Sequence, residues 1–218
     1  MSAKELLVEL SADAIVAQLV EEGEVFAEAS VVYEGALSEG LVTYELSGEE
    51  AVQRDIEAIL RAFRAAVVSV CGEERGLQLS MLVLNPKVRS VLAVGRENVR
   101  LTPALFLRGR EDLPMPPSRY LPEHIVGEVR RYVSVEAWLV NWLTREWIGL
   151  QNRAPLGLPT VKKSGNYAQD RGHWEEARAV LTHSPLLVPE GTVMAQIQPM
   201  RAKVLEVAPY TPITGRLG

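Results

Sequence analysis

The richest concentration of chemistry-bearing residues in this sequence is NRAPLGLPTVKKSGNYAQDRGHWEEAR, residues 152–178. Within it, Lys162 and Lys163 precede a polar turn that ends in Asn166 and Tyr167. A lysine amine becomes a nucleophile when burial or a neighbouring cation lowers its pKa. Lys163 is such a cation, and the turn offers hydrogen bonds to a ligand. The alternative is an ordinary solvated loop, because most adjacent lysine pairs lie on the surface.

The other reactive residue types form no recognised site. His124, His173 and His183 lack metal-ligand spacing to one another, to the cysteine or to a carboxylate. The sequence has no GxxxxGK phosphate loop and no GxSxG nucleophile motif. Cys71 ends an apolar predicted helix, which favours a small buried side chain over a nucleophile. The lysine segment is therefore the main catalytic candidate.

Composition and charge exclude several classes of protein. The chain has 218 residues, of which 47% are hydrophobic and 23% charged, as in soluble globular proteins. Its net charge of -5 and its pI near 5.4 argue against nucleic-acid binding through a general basic field. A single cysteine allows no internal disulfide. With no apolar signal-peptide core and no apolar window of about 18 residues, we expect a cytoplasmic protein without a membrane partner.

Hydrophobic periodicity predicts alternating helices and strands. Helices are predicted over 11–22, 48–70 (capped by Ser47), 134–148 and 168–182. Strands are predicted over 24–33, 41–46, 77–84, 88–94, 99–107 and 125–133, and a hairpin over 185–198. The segment 111–123 holds four of the 13 prolines, which is typical of a linker. We therefore expect an N-terminal α/β domain over 1–110 and a second, shorter domain over 124–218.

The lysine segment resembles that of the branched-chain amino acid aminotransferases, which are class IV, fold-type IV enzymes that use pyridoxal phosphate. Their pattern has an arginine near a strand end, a lysine, three mostly small residues and Asn-Tyr; the matching residues here are Arg153, Lys162, Asn166 and Tyr167. Four further segments are similar to the family's in the same order: YEGALSEGLVTY (33–44), RLTPALFLRG (100–109), LLVPEGTVMAQ (186–196) and PYTPITGRLG (209–218). The resemblance implies an α/β fold of the fold-type IV aminotransferase kind, with a small α/β domain and a shortened second domain.

The same resemblance implies roles for four residues. Lys162 would form the Schiff base with the cofactor and transfer protons. Tyr167 would donate a hydrogen bond to the phenolic oxygen of the cofactor, and Arg153 would be a supporting cation. Thr214 would offer its backbone N–H to the cofactor phosphate.

The sequence also departs from the family pattern at positions that hold the cofactor. The phosphate-binding arginine falls on Val42. The glutamate that keeps the pyridine nitrogen protonated falls on Ala195, or on the uncharged Gln196 if the register is shifted by one residue. The family's asparagine falls on Met200, and its mid-strand arginine on Thr102. A cofactor phosphate needs an arginine, and the ring needs an anion beside its nitrogen. Pyridoxal phosphate is therefore expected to bind weakly or not at all.

These observations lead to three functional hypotheses. The first is an aminotransferase that acts on small hydrophobic amino acids and 2-oxo acids. The second is a catalytically inert aminotransferase-fold protein that acts as a binding or assembly subunit. The third is an assembly or binding protein of another kind, with an accidental resemblance. In the aminotransferase-fold readings, we expect a homo-oligomer that buries 134–148 and 185–197 between chains.

Overall fold

A computed structural model of the chain describes residues 3–46, 51–72, 76–108, 120–151 and 185–217. The described elements are β1 Lys4–Leu10, β2 Ala14–Glu21, β3 Glu24–Val32, β4 Ala51–Arg54, α1 Ile56–Cys71, β5 Met81–Pro86, β6 Arg89–Val94, β7 Ala104–Leu107, α2 Glu123–Val126, β8 Arg131–Val133, α3 Val135–Thr144, β9 Ile148–Leu150, β10 Leu186–Val188, β11 Val193–Gln196, α4 Pro199–Leu205 and β12 Pro212–Gly215. The predicted α/β class is confirmed.

The main sheet has the strand order β11-β12-β5-β1-β2-β3. Its neighbouring strands β1, β5 and β12 run parallel, whereas β2, β3 and β11 pair antiparallel with their neighbours. The carboxyl ends of β1, β5 and β12 therefore meet at one edge of the sheet. A second sheet has the order β4-β7-β6-β8, and β9 pairs with β10.

The predicted helix over 11–22 is wrong, because this segment contains strand β2. Its inward-facing residues are Ile15, Ala17 and Leu19, which alternate with period two. The small Ala17 hides this alternation when only large apolar residues are counted. Glu22 and Gly23 then form the turn to β3 with φ of 53° and 86°, the left-handed pair that a two-residue hairpin turn requires.

Helix α1 begins later than predicted, at Ile56, because 51–54 form strand β4 and Asp55 is the N-cap. The Asp55 carboxylate accepts a hydrogen bond of 2.8 Å from the backbone N–H of Glu57. The predicted apolar stripe of α1 is confirmed, since Phe63, Val67 and the other members are buried. Cys71 is also buried at the end of this helix, as expected.

The remaining predictions had mixed outcomes. Four predicted strands are confirmed with shifted bounds as β3, β5, β6 and β7, and the helix predicted over 134–148 corresponds to α3. The predicted strand 41–46 is irregular, and 125–133 contains both α2 and β8. The predicted hairpin is wrong, because β10 pairs with β9 and β11 with β12. The predicted helix 168–182 lies outside the described residues.

The predicted domain division stays a prediction. Most of its linker, residues 109–119, lies outside the described part of the chain. The main sheet contains strands from both sides of that linker, because β11 and β12 join β5 and β1.

The two faces of strand β1 have different surroundings. Leu6, Val8 and Leu10 are buried in the main hydrophobic core, which also contains residues of α1 and α3. Successive side chains of a strand point to opposite faces, so Leu7 and Glu9 lie on the other side. This other face carries the polar residues at the carboxyl edge of the sheet.

Candidate functional site

The carboxyl ends of β1 and β5 bring together an acid, an amide and a lysine. Glu9 and Asn85 are paired in register on the two strands, and Lys87 follows β5 directly. The Lys87 Nζ atom lies 2.7 Å from Oε1 of Glu9. Ligands of parallel α/β sheets bind outside the carboxyl ends of the strands, which makes this the expected place for a site. We call Glu9, Asn85, Lys87 and the nearby Arg216 the edge site.

Asn85 is the residue of the edge site whose polar groups are least satisfied. Its side chain is 4% exposed, and its Oδ1 has no hydrogen-bond partner among the described residues. Its Nδ2 donates only a long bond, 3.4 Å, to Oε1 of Glu9. An unpaired buried amide oxygen costs about 1–3 kcal/mol. Such a group is favoured where a ligand completes its hydrogen bonding.

Arg216 extends the edge site toward strand β12. Its backbone N–H donates to the carbonyl of Leu84 at 3.0 Å, which continues the parallel pairing of β12 with β5. The Arg216 side chain is exposed, and it borders a groove of about 510 Å³ on the outer face of the sheet. Leu7, Gln18 and Val83 contribute to the floor of that groove. The groove also contains Glu5 and Glu22, so a molecule beside Arg216 would meet both polar and apolar groups.

A second polar cluster, the turn clamp, lies at the turn between β1 and β2. It consists of Asp13, Arg54 and Arg108. Arg54 Nη2 donates to Asp13 Oδ1 at 2.7 Å, and Arg54 Nε donates to the carbonyl of Ala12 at 3.1 Å. Arg108 Nη2 donates to Oδ2 of Asp13. Because Arg54 is the last residue of β4 and Arg108 follows β7, the clamp joins the second sheet to the main sheet.

The turn clamp makes a pH-dependent contribution to stability. Burial raises the pKa of Asp13, but hydrogen bonds from Arg54 and Arg108 outweigh it and hold the pKa below its usual 3.8. A lowered carboxyl pKa gives stability that is present above pH 3.8 and is lost as the pH falls through the folded-state value. We expect Asp13→Asn to lower the free energy of unfolding by about 0.5–1 kcal/mol at pH 7, because the pair is half-exposed.

Urea unfolding at pH 7 and at pH 2 checks this prediction. The difference between wild type and Asp13→Asn should be smaller at pH 2 than at pH 7, because protonation of Asp13 removes the charge that Arg54 and Arg108 hold. Glu39→Gln, at an exposed position, is the matched control and should change stability equally little at both pH values. An unchanged difference at pH 2 would contradict the assignment to ionised Asp13.

A buried network beside the turn clamp fixes the irregular segment that follows β3. The Asp55 carboxylate, 3% exposed, accepts from the backbone N–H of Ser38 at 2.6 Å and from the Ser38 hydroxyl. Arg100 Nη1 donates to Asp55 at 3.0 Å. Burial raises the pKa of Asp55, but the Ser38 and Glu57 hydrogen bonds and the charge of Arg100 bring it below its usual value. All these groups are satisfied by the protein, so the network is structural.

The residues predicted as a site are largely outside the described structure. Lys162, Tyr167 and Arg153 lie outside the described residues. Thr214 is buried in β12, where its hydroxyl donates to the carbonyl of Thr192 at 2.9 Å. Whether these four residues line a site stays a prediction. The edge site was missed, although Glu9 ends an alternating strand and Lys87 follows the Asn-Pro turn signal.

Solved structures with the same fold are sugar kinases. The xylulose kinase from Rhodospirillum rubrum has a TM-score of 0.71 at 13% identity, over 98% of this chain and 49% of that protein. The gluconate kinase from Lactobacillus acidophilus has a TM-score of 0.67 at 12% identity, over 99% and 48%. The Plasmodium falciparum glycerol kinase, solved with ADP, has a TM-score of 0.61 at 11% identity, over 98% and 48%.

These likenesses establish a fold. The chain spans about half the length of the kinases it matches. No protein-family model matches the sequence, and no curated protein does. None of the helices in the described ranges is long and apolar enough to cross a membrane.

The aminotransferase resemblance is therefore wrong, and so is the fold-type IV fold that it implied. The matched fold is that of the sugar kinases, so the expected transamination and pyridoxal phosphate are withdrawn. The alternative of an inert aminotransferase-fold subunit is withdrawn for the same reason. The physical reason is visible in the segments that carried the resemblance: 33–44 is irregular and fixed by Asp55, and 186–196 belongs to two different sheets. These segments resemble those of the aminotransferases in the order of their residues along the chain, and not in their structure.

Proposed function

We propose that this chain takes part in the ATP-dependent phosphorylation of a small polyhydroxylated molecule, which contacts the edge site. One observation carries the proposal: Asn85 turns its amide nitrogen to the Glu9 carboxylate at the carboxyl edge of parallel strands, and its buried amide oxygen has no partner among the described residues. The sugar-kinase fold supports it.

The donors and acceptors of the edge site suit hydroxyl groups. The Glu9 carboxylate accepts hydrogen bonds, the Lys87 ammonium donates them, and Asn85 offers its free oxygen as an acceptor. A ligand hydroxyl that donates to Asn85 Oδ1 would remove the desolvation cost of that buried atom. A polyol supplies several hydroxyls on adjacent carbons, so that it can contact acid and amide together.

The residues fit the phosphate of a kinase reaction better than its metal ion. Mg²⁺ in phosphotransfer sites is held by one or two carboxylates together with waters and substrate phosphates. Here the Glu9 carboxylate is ion-paired with Lys87, and Asn85 turns its amide nitrogen toward it. No group of three or more His, Cys, Asp or Glu side chains in the described ranges is placed to hold a metal, so a cation here would need those further oxygens. Lys87 and Arg216 would hold phosphate oxygens. A bound cation would neutralise phosphate charge.

Two earlier expectations remain part of the proposal. We expect a homo-oligomer, and the exposed Leu186 and Val193 support burial of 185–197 between chains. We also expect a cytoplasmic location, where a nucleotide-dependent enzyme finds its phosphate donor.

Ligand binding and turnover by the purified chain test the function. Saturation-transfer NMR with glycerol, xylulose and gluconate should detect binding of at least one. Glu9→Ala should weaken that binding by about tenfold to a hundredfold, because it removes a hydrogen bond to a charged group, worth about 1.5–3 kcal/mol. Asn85→Leu removes a neutral hydrogen bond, worth about 0.5–1.5 kcal/mol, and should weaken binding by about twofold to tenfold. With ATP present, the bound polyol should stimulate ADP release.

Glu39→Gln is again the control variant, because it changes a carboxylate at an exposed position. It should bind the polyol like the wild type. A chain that binds none of the three polyols and releases no ADP would contradict the proposed function.

A further inference from the structure

Trp142 of α3 contacts two other helices. Its ring meets that of Phe63 on α1 edge-on, with 6.3 Å between the ring centroids. The Arg201 guanidinium of α4 lies over the same ring, 4.3 Å from its centroid, and Arg201 Nε donates to the Trp142 carbonyl at 2.9 Å. This guanidinium is therefore held by the ring and the carbonyl of one residue. Its two terminal nitrogens make no hydrogen bond among the described residues, so they are available to a ligand.

Two further arginines lie beside Arg201. Arg64, the residue after that phenylalanine on α1, is exposed. Arg145 is exposed too and is the C-cap of α3, with φ of 67°, a left-handed position that glycine usually fills. The carbonyl before it, that of Thr144, accepts from Gln198 Nε2 at 2.8 Å, which joins the end of α3 to the start of α4. We call Arg64, Arg145 and Arg201 the arginine cluster.

The arginine cluster carries three positive charges without a counter-charge. Burial lowers the pKa of Arg201, and the charges of Arg145 and Arg64 lower it further, so the three guanidiniums are close enough to repel one another. None of them forms an ion pair with a carboxylate of the described residues. The chain has a net charge of -5, so this local excess of positive charge is not a general property of its surface. A bound anion would offset the repulsion.

The dipole of α3 accounts for only part of the arginine cluster. The carboxyl end of a helix carries partial negative charge, which favours Arg145 and Arg201 at that place. Arg64 lies in the middle of α1, which spans Ile56–Cys71, and this explanation does not apply to it. The convergence of a third guanidinium from another helix is the feature that indicates a ligand.

We propose that the arginine cluster binds the phosphate group of a small molecule, at a site separate from the edge site. A phosphate group has three terminal oxygens and about two negative charges, so it can contact three guanidiniums at once. A carboxylate has two oxygens and one charge and would leave part of the repulsion in place. The inference does not depend on the proposed function, because α1 and α3 pack on the face of the main sheet that is opposite to Glu9.

Titration of the full chain with inorganic pyrophosphate, followed by NMR of the arginine Nε–H groups, tests the inference. The Arg201 Nε–H signal, identified by its absence in Arg201→Lys, should shift as pyrophosphate binds. Binding elsewhere would leave that signal in place. Arg64→Gln and Arg145→Asn should each weaken the binding by about tenfold, because each removes a charge-assisted contact. Asparagine is the choice at position 145 because it tolerates a positive φ.

Arg96→Gln is the matched control, because Arg96 is exposed and lies outside the arginine cluster. It should bind pyrophosphate like the wild type. Arg64→Glu places a carboxylate beside Arg201 and should abolish the binding without loss of stability, since attraction replaces repulsion.

Three results would overturn the inference. The first is an Arg201 signal that does not move at millimolar pyrophosphate. The second is equal weakening by Arg96→Gln, which would indicate a general effect of charge. The third is tighter binding of a hexaglutamate peptide than of pyrophosphate, which would indicate an acidic protein partner. None of these results bears on polyol binding, so failure here and failure of the proposed function are distinguishable.

Discussion

Replacement of Asp55 by alanine is expected to lower the free energy of unfolding by about 3–5 kcal/mol, the cost of removing one partner from a buried ion pair. The carboxylate caps α1, holds Ser38 and pairs with Arg100. Alanine leaves the Arg100 guanidinium, 23% exposed, with only Glu57 at 3.3 Å as an anionic partner, and it removes the cap at the start of the helix. Urea unfolding followed by circular dichroism at pH 7 measures the change.

Two further variants separate the contributions at this position. Asp55→Asn keeps the capping oxygen but loses the charge and the second acceptor, Oδ2, that holds Ser38. Its cost should therefore be smaller than that of alanine by only about 1 kcal/mol, the value of the cap. Ser38→Ala removes only the hydroxyl contact and should cost about 1 kcal/mol, as one hydrogen bond does. If Asp55→Ala costs no more than Ser38→Ala, the ion pair with Arg100 does not stabilise the fold.

Phe63→Ala should have an effect of similar size, about 3–5 kcal/mol, because it opens a cavity in the centre of the main core. Phe63 is fully buried on α1, and its ring meets that of Trp142 edge-on, with 6.3 Å between the ring centroids. The variant loses stability for two reasons. Less apolar surface is buried, and the aromatic contact between α3 and α1 is gone. Thermal and urea unfolding measure the loss, and tryptophan fluorescence reports the change around Trp142.

Phe63→Leu is the matched control, since it keeps an apolar side chain in the same place. It should cost less than half as much as alanine and should still alter the fluorescence, because the aromatic contact is gone. A Phe63→Ala protein with wild-type stability would show that α1 and α3 do not depend on this contact.

The parts of the fold that the sequence predicts correctly are those with a large, uninterrupted pattern. The stripe of α1 repeats big apolar residues such as Ile59, Phe63 and Val67 at helical spacing, and only one face of a helix can bury them. Strand β3 is bounded by Gly23 and alternates between partly buried and exposed side chains. In both elements the local pattern and the tertiary environment agree.

Strand β2 was missed because its inward-facing positions hold both small and large residues. Ala17 faces the core between Ile15 and Leu19, and alanine carries little weight in a count of apolar residues. Gly23, in the turn to β3, was the better signal, because glycine readily adopts the positive φ that a two-residue hairpin turn requires.

The edge site was beyond prediction for a different reason. Glu9 and Asn85 are far apart in the sequence and meet only because β1 and β5 pair in parallel. No local spacing records such a contact. The aminotransferase hypothesis failed in the same way, because it joined segments by their order along the chain and had no information on which strands are neighbours.

The strand order of the main sheet has a consequence for how the chain folds. Strands β1, β2 and β3 are consecutive hairpins, so they can pair as soon as they leave the ribosome. Strand β5 cannot pair on both sides in this way, because its outer neighbour β12 begins only at Pro212. Leu82 therefore has no strand partner on that side until Ile213 has been synthesised. Pairings with large sequence separation form slowly, since the entropy of a long loop must be lost first. During synthesis, β5 is therefore an open sheet edge until the end of the described chain emerges, and this is the stage at which the nascent protein is most exposed to strand pairing with other chains.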